Sequence, residues 1–282
     1  MRNDPHVRIT VSLTDAWQRT RDCLRHHGKA LGAAWLITNL IGAIAFLVLY
    51  PPWSAVETTE GIGSFRYTVY FILYNVVSAA GFIFMVKVSQ AFISGEDRED
   101  YGSVLDESVR VMMRYFATTF LSLFRVMLWA MAGLPVAFAL VYGAVLLTGQ
   151  AEPGPMVGLL ATIPVVVMSV LAYVRFGWAL YFTVLNGDTP LYAMYYSQSM
   201  YLNNRKTVLT MAAIVFVLPV VLPLIGMFVL MDVPGVEYVI PFMASAWTYL
   251  AGVLTVSVIM YAAPEGQAAM AESDAISSHE NS

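Results

Sequence analysis

Six uninterrupted apolar stretches decide what this chain can fold into. They cover approximately residues 30–50, 66–94, 115–147, 156–185, 207–231 and 236–262. Each is long enough to cross the ~30 Å hydrocarbon core of a bilayer, which takes about 20 helical residues. The apolar residues follow one another without alternation, so they predict helices and not the strands of a β-barrel. We therefore predict an all-α integral membrane protein, a six-helix transmembrane bundle.

Composition supports that class and limits the partners. Hydrophobic residues make up 59% of the chain and charged residues 12%, about half the charged fraction of an ordinary soluble domain. The net charge of -4 leaves no basic stripe to neutralise phosphates, which argues against nucleic acid as a partner. The first 29 residues are charged, and the apolar run behind them is longer than the core of a signal peptide, so we predict no signal peptide.

Basic residues are concentrated on one side of the predicted bundle. The N-terminal segment, the loop after span 2 with its flanks, which include Lys87, and the loop after span 4 hold 12 of the 15 Lys and Arg residues, whereas the loops on the other side hold only Arg66. Loops rich in Lys and Arg stay in the cytoplasm, so both termini are predicted to be cytoplasmic. The domain organisation follows as one transmembrane domain, 1–263, and a disordered acidic cytoplasmic tail, 264–282.

A short amphipathic segment precedes each odd-numbered span. The three segments cover about residues 12–27, 103–114 and 189–204. Candidate helix N-caps open them, namely Ser12, Ser103 and Thr189. The spacings of 91 and 86 residues between these caps predict a threefold repeat of an amphipathic helix followed by a transmembrane hairpin. We expect the three helices to be interfacial helices at the cytoplasmic face.

Three cations fall within or at the edge of the spans: Lys87, Arg125 and Arg175. Lys87 in VKVSQAF and Arg175 in VRFGWAL are equivalent in the repeat, 88 residues apart. The uncharged stretches that reach these cations from the outer side contain 20, 22 and 19 residues, or roughly 30 Å of helix, so the cations mark the cytoplasmic edge of the hydrocarbon core. Three interpretations stay open: helix anchors at lipid phosphates, binding of an anionic lipid headgroup or anion, and a conduction or coupling role.

The apolar helices continue beyond these cations. Residues 88–93, 115–124 and 176–185 carry the apolar pattern further towards the cytoplasm. Apolar surface outside the bilayer needs a cover. We expect the amphipathic segments to pack around these protruding helix ends.

Reactive groups are scarce in the spans. The four histidines lie outside them, and no Asp or Glu falls within an apolar core. The sequence therefore offers no metal set, no nucleophile with its base and no carboxylate pair. His26 and His27 are interpreted as solvated or interfacial residues near a helix end, and the single cysteine, Cys23, cannot form an internal disulfide. We predict a protein that is not an enzyme and that has neither a metal site nor a cofactor.

The segment between spans 4 and 5 resembles a stretch of one known family. Residues 186–209 read NGDTPLYAMYYSQSMYLNNRKTVL, in which Asp188, Pro190, Ala193 and Ser197 form the pattern acidic-x-Pro-x-x-Ala-x-x-x-Ser. This stretch is similar to one in the bacterial six-span family typified by YciC and by the membrane domain joined to some glycerophosphodiester phosphodiesterases. The resemblance implies a multi-pass protein of the bacterial inner membrane with no defined biochemistry. It implies no phosphodiesterase activity, because the chain lacks that domain.

Two functions are compatible with the sequence. The repeated amphipathic helix and the lack of reactive groups favour a lipid-interacting accessory or scaffold component of a membrane assembly, whose partners are membrane lipids and a larger membrane protein complex. The alternative is a transporter of small solutes or anions, indicated by the cations and by Pro219 and Pro223 of span 5. No acidic residue lies in a span to couple ions, which weighs against transport.

Overall fold

Helices make up almost all of the described structure. The computed structural model describes residues 7–9, 12–49, 60–95, 100–148, 155–217, 236–260 and 262–264. The α-helices in these ranges are α1 Leu13–Leu49, α2 Glu60–Ile93, α3 Tyr101–Thr148, α4 Pro155–Phe176, α5 Ala179–Asn186, α6 Pro190–Asn203, α7 Arg205–Ala212 and α8 Val236–Ile259. A π-helical segment, Ala213–Val217, follows α7, and two short strands, β1 Val7–Ile9 and β2 Ala262–Pro264, pair with each other. The predicted helical class is confirmed.

Among the residues that the structure describes, four apolar helical segments are long enough to cross a membrane, and the chain is accordingly a multi-pass membrane protein. They are Leu13–Val48, Thr68–Ile93, Tyr101–Leu147 and Leu160–Asn186, with a shorter apolar helix at Met243–Ile259. Most of the predicted fifth span, with Pro219 and Pro223, lies outside the described residues, and so does the tail after residue 264. The count of six spans stays a prediction.

Two of the three predicted interfacial helices are not separate helices. Residues 12–27 and the first span form the single helix α1 of 37 residues, and residues 103–114 and the third span form α3 of 48 residues. The junctions hold no proline and at most an isolated glycine, which a helix tolerates. At about 1.5 Å per residue these helices are roughly 55 and 70 Å long and must extend beyond a ~30 Å hydrocarbon core. Only the third segment is a helix of its own, α6.

The helix starts agree with the predicted caps in part. Ser12 caps α1 as expected, because its Oγ accepts the backbone N–H of Asp15 at 3.1 Å. Ser103 is not the cap of α3. Asp100 takes that role, and its carboxylate accepts the backbone N–H of Gly102 at 3.0 Å. Thr189 precedes α6 in the extended conformation but makes no side-chain cap bond, and Pro190 occupies the first turn.

The chain divides into two compact units. The N-terminal unit contains Ile9–Met113 and Thr210–Ala263, and the central unit contains Arg114–Leu209. In the N-terminal unit, α1 packs against α2 and α8, and α2 packs against α8. Polar side chains join these helices: the Trp35 indole N–H donates to Ser245 Oγ at 3.1 Å, and the hydroxyls of Thr20 and Ser257 lie 3.1 Å apart.

The core of the central unit lies around α5 and α6. Most of α5 is buried, and α6 packs against both α4 and α5 through its own buried face. The expectation that an amphipathic segment covers residues 176–185 is thus confirmed. Residues 115–124 are covered only in part: Thr118 and Ser122 are buried, whereas Phe120, Leu123 and Phe124 are exposed on α3.

Candidate functional site

Arg175 lies at the C-terminal end of helix α4. Helix α4 has 22 residues and carries Arg175 in its last turn. This length gives roughly 33 Å, close to the thickness of the hydrocarbon core. The helix ends at Phe176 and a turn at Gly177 and Trp178 leads into the buried helix α5. The arginine is therefore at the end of α4, where this helix joins α5, and the apolar helical segment continues beyond it to Asn186.

Two of the predicted cations meet around one aromatic ring. The guanidinium carbon of Arg125 lies 5.6 Å from the centre of the Phe176 ring, and that of Arg175 lies 5.5 Å from the same centre. The Cζ atom of Arg175 is also 5.2 Å from the centre of the Trp129 ring. Arg125 and Trp129 are four residues apart on α3 and share one helix face. Phe176 and Trp129 thus hold the two guanidinium groups within about 11 Å of each other, the sum of their distances to Phe176. We call Arg125 and Arg175 the arginine pair.

No anionic side chain compensates the arginine pair among the residues that the structure describes. Neither guanidinium group has an ion pair or a hydrogen bond there, and the Nε atom of Arg175 is buried without a partner. Ser122, one turn before Arg125 on α3, likewise has a buried Oγ without a partner. Burial of unpaired donors costs free energy, so the site is suited to an anion with several acceptor oxygens.

Lys87 does not share this environment. It belongs to the N-terminal unit, where its Nζ atom lies 2.8 Å from Glu107 Oε1 on α3. Its side chain is only 11% exposed. The charge of Lys87 is therefore compensated within the protein, which separates it from the two arginines with which the sequence pattern groups it.

The residues that resemble the six-span family fix α6 in the central unit. Pro190 begins the helix, while Ala193 and Ser197 are fully buried on its inner face. The Ser197 hydroxyl donates to the carbonyl oxygen of Arg175 at 2.8 Å. Just ahead of α6, burial raises the pKa of Asp188 above its ordinary value, and a hydrogen bond from the Asn186 amide opposes this shift. Ser197, one member of the pattern, is thus hydrogen-bonded to the main chain of Arg175, one of the two residues of the arginine pair.

The turn before α6 is fixed by a third arginine. Gly187 ends α5 with φ at 68°, a left-handed conformation that favours glycine. Its carbonyl oxygen accepts a hydrogen bond from Arg114 Nη1 at 2.9 Å. Sequence inspection gives Arg114 no role beyond the charge count of its loop. A contact between residues 73 positions apart leaves no local pattern.

Comparisons with known proteins identify no relative: no protein-family model, curated protein or solved structure matches the chain. The likeness of residues 186–209 to the six-span family stays a prediction. In the described part of the chain no group of three or more His, Cys, Asp or Glu residues is placed to hold a metal ion. The chemistry of the site must be argued from the arginine pair and its aromatic neighbours.

Proposed function

We propose that this protein is a non-enzymatic, lipid-interacting component of the bacterial cytoplasmic membrane that binds the phosphate of an anionic lipid at the arginine pair. The proposal includes six spans, cytoplasmic termini and membership of the six-span family named above. It assigns the protein an accessory or scaffold role in a membrane assembly. The observation that carries the proposal is the pair of guanidinium groups around Phe176 without any acidic partner in the described residues.

The chemistry of the pair supports a phosphate ligand. Two like charges within about 11 Å of each other in a low-dielectric region repel, and an anion bound at either of them reduces that penalty. Each guanidinium offers several N–H donors in a fixed plane, which suits the oxygens of a phosphate group. The buried, unpartnered Nε of Arg175 is one donor that such a ligand would satisfy.

The surroundings favour a lipid over a soluble anion. Arg125 is exposed, and its neighbours on α3 are large exposed apolar side chains: Phe124, Met127, Leu128 and Met131. In a multi-pass membrane protein such a surface faces acyl chains. An anion that reaches Arg125 along this surface therefore carries an apolar tail. Tryptophan next to the pair, here Trp129, is also typical of the membrane interface.

Native mass spectrometry of the protein released from membranes tests the proposal. Arg125→Gln/Arg175→Gln should retain less phosphatidylglycerol than wild type. Arg21→Gln/Arg110→Gln removes the same charge from exposed positions and should retain the wild-type amount. Equal retention by both double variants would show that the arginine pair is not a lipid site.

A second arm separates the two sources of phosphate. Inorganic phosphate or zwitterionic phosphatidylcholine, added to the wild-type protein, should not displace the bound phosphatidylglycerol. Displacement by inorganic phosphate would indicate a soluble anion as ligand. Uptake of phosphate into proteoliposomes that the Arg125→Gln/Arg175→Gln change abolishes would then favour the transporter.

A further inference from the structure

The Ser197 hydroxyl is bonded to the end of another helix. Helix α4 ends one residue after Arg175, so the carbonyl of Arg175 is one of the last four in α4, which have no partner within a helix. Ser197 of α6 donates to this carbonyl at 2.8 Å and is fully buried. The main chain of Arg175 is therefore held by a helix that lies 22 residues further along the chain.

This bond differs from the usual bond of a serine or threonine in a helix. The hydroxyls of Thr20, Ser108, Thr119, Ser169 and Thr255 bond to the carbonyl four residues earlier in their own helices. Ser197 joins two helices instead. It is the polar member of a buried α6 face whose other members are Ala193, Met194 and Met200. Loss of its hydroxyl would remove a polar link at a contact whose other buried α6 side chains are apolar.

The position of the Arg175 main chain determines where its guanidinium lies. Phe176, the next residue, carries the ring around which the arginine pair meets. A shift of the end of α4 would therefore move Arg175 and Phe176 together relative to Arg125 and Trp129 on α3. The contacts at 5.2 to 5.6 Å would change with it.

We infer that Ser197 is a positioning residue for the anion site: through the Arg175 carbonyl, α6 sets the geometry in which the arginine pair holds a lipid phosphate. The inference rests on the proposed function for its ligand. Its structural part, the placement of Arg175 by Ser197, can be measured with no lipid bound. The tyrosine-rich helix α6 thereby belongs to the anion site, although α6 itself does not touch the ligand.

The test compares Ser197→Ala with Ser108→Ala, which removes a buried hydroxyl bonded only within its own helix. The first measurement is NMR of arginine labelled at 15Nε in the lipid-free protein, with the Arg175 signal assigned by its loss in Arg175→Lys. Ser197→Ala should shift this signal and speed its exchange with water, and Ser108→Ala should leave it unchanged. An unchanged Arg175 signal in Ser197→Ala overturns the inference, whether or not the protein binds lipid.

The second measurement is a titration of the delipidated variants with phosphatidylglycerol, followed by native mass spectrometry. Ser197→Ala should weaken binding about threefold, the size expected from one hydrogen bond between membrane helices. Binding equal to wild type, together with loss of lipid in Arg125→Gln/Arg175→Gln, would overturn the positioning role while the proposed function stands. Retention of lipid by that double variant would reject the proposed function, and the Arg175 signal would still decide whether Ser197 places the arginine.

Discussion

The guanidinium carbon of Arg175 lies 5.2 Å from the centre of the Trp129 ring, and the Trp129 and Phe176 rings meet edge to face at 6.3 Å. A cation over an indole ring is attracted by the electron-rich face of the ring. Trp129 on α3 thus provides the aromatic ring against which the Arg175 guanidinium of α4 packs. This contact orients the charge without neutralising it, so the arginine keeps its capacity to bind an anion.

Replacement of Trp129 should weaken the binding of anionic lipid. Trp129→Leu removes a cation–π contact of about 0.5 to 2 kcal/mol, so the apparent Kd for phosphatidylglycerol should rise about 2- to 30-fold. Trp129→Phe keeps an aromatic face and should lose less. Lipid titration with native mass spectrometry measures both, and Trp17→Leu, at an exposed position of α1, is the control. Equal losses for Leu and Phe at position 129 would argue against the cation–π contact.

The ion pair of Lys87 should contribute to stability and not to lipid binding. Glu107→Gln leaves the Lys87 ammonium without its partner at 11% exposure, which should lower the free energy of unfolding by about 1 kcal/mol, since Glu107 is still partly solvated. Asp106→Asn breaks the neighbouring pair with Arg110, whose side chains are 65% and 77% exposed, and should cost less than about 0.5 kcal/mol. Thermal unfolding in detergent compares the two variants. Loss of bound phosphatidylglycerol in Glu107→Gln would contradict this assignment.

The sequence is sufficient for those features that depend on residues near one another in the chain. Hydropathy locates the long apolar helices, and Arg175 lies in the last turn of one of them, α4. The same local patterns do not reveal that a helix continues where the sequence changes from amphipathic to apolar. The sequence changes from amphipathic to apolar at residues 27–30 and 114–115, yet α1 and α3 continue through these positions. The backbone hydrogen bonds of a helix form within the helix itself and do not depend on whether the side chains are polar or apolar.

Most of the features that the sequence does not predict are contacts between residues that are far apart in the chain. Trp129 and Arg175 are 46 positions apart, and no spacing rule connects them. His27 gives the clearest error: the sequence suggests a solvated or interfacial side chain, but the ring is buried and its Nδ1 lies 3.0 Å from the Tyr101 hydroxyl. Its burial depends on how α1, α2 and the start of α3 pack, which local pattern cannot supply.

A methyl group at Gly133 should separate two helices. A Cβ atom built there would lie 2.8 Å from the carbonyl oxygen of Pro164 and 2.9 Å from Val165 Cα, both backbone atoms that cannot rotate away. Gly133→Ala should therefore lower the free energy of unfolding by about 1 to 3 kcal/mol. Gly143 lies on the same helix with nothing within 4 Å, so Gly143→Ala should be neutral or stabilise by up to about 1 kcal/mol. Thermal unfolding compares them, and equal unfolding temperatures would show that α3 and α4 do not approach at Gly133.

The burial of Asp188 should make stability depend on pH. Its pKa in the folded protein is raised from the ordinary value of 3.8, chiefly by burial. The folded state therefore holds a proton that the unfolded chain releases, and stability falls as pH rises from about the ordinary value through the raised one. Above that window the ionised carboxylate disfavours the fold.

Asp188→Asn removes this charge and should raise the unfolding temperature relative to wild type at pH 7. At pH 4 the difference should be smaller, because the raised pKa leaves more of the wild-type carboxyl protonated in the folded state there than at pH 7. Burial and, after it, the charge of Asp188 raise the pKa of Tyr196, so the tyrosine should ionise at lower pH in the variant, which ultraviolet difference spectra can follow. Asp106→Asn, at an exposed carboxylate, provides the control. A variant that is less stable than wild type at pH 7, by more than at pH 4, would show that the charge at position 188 favours folding.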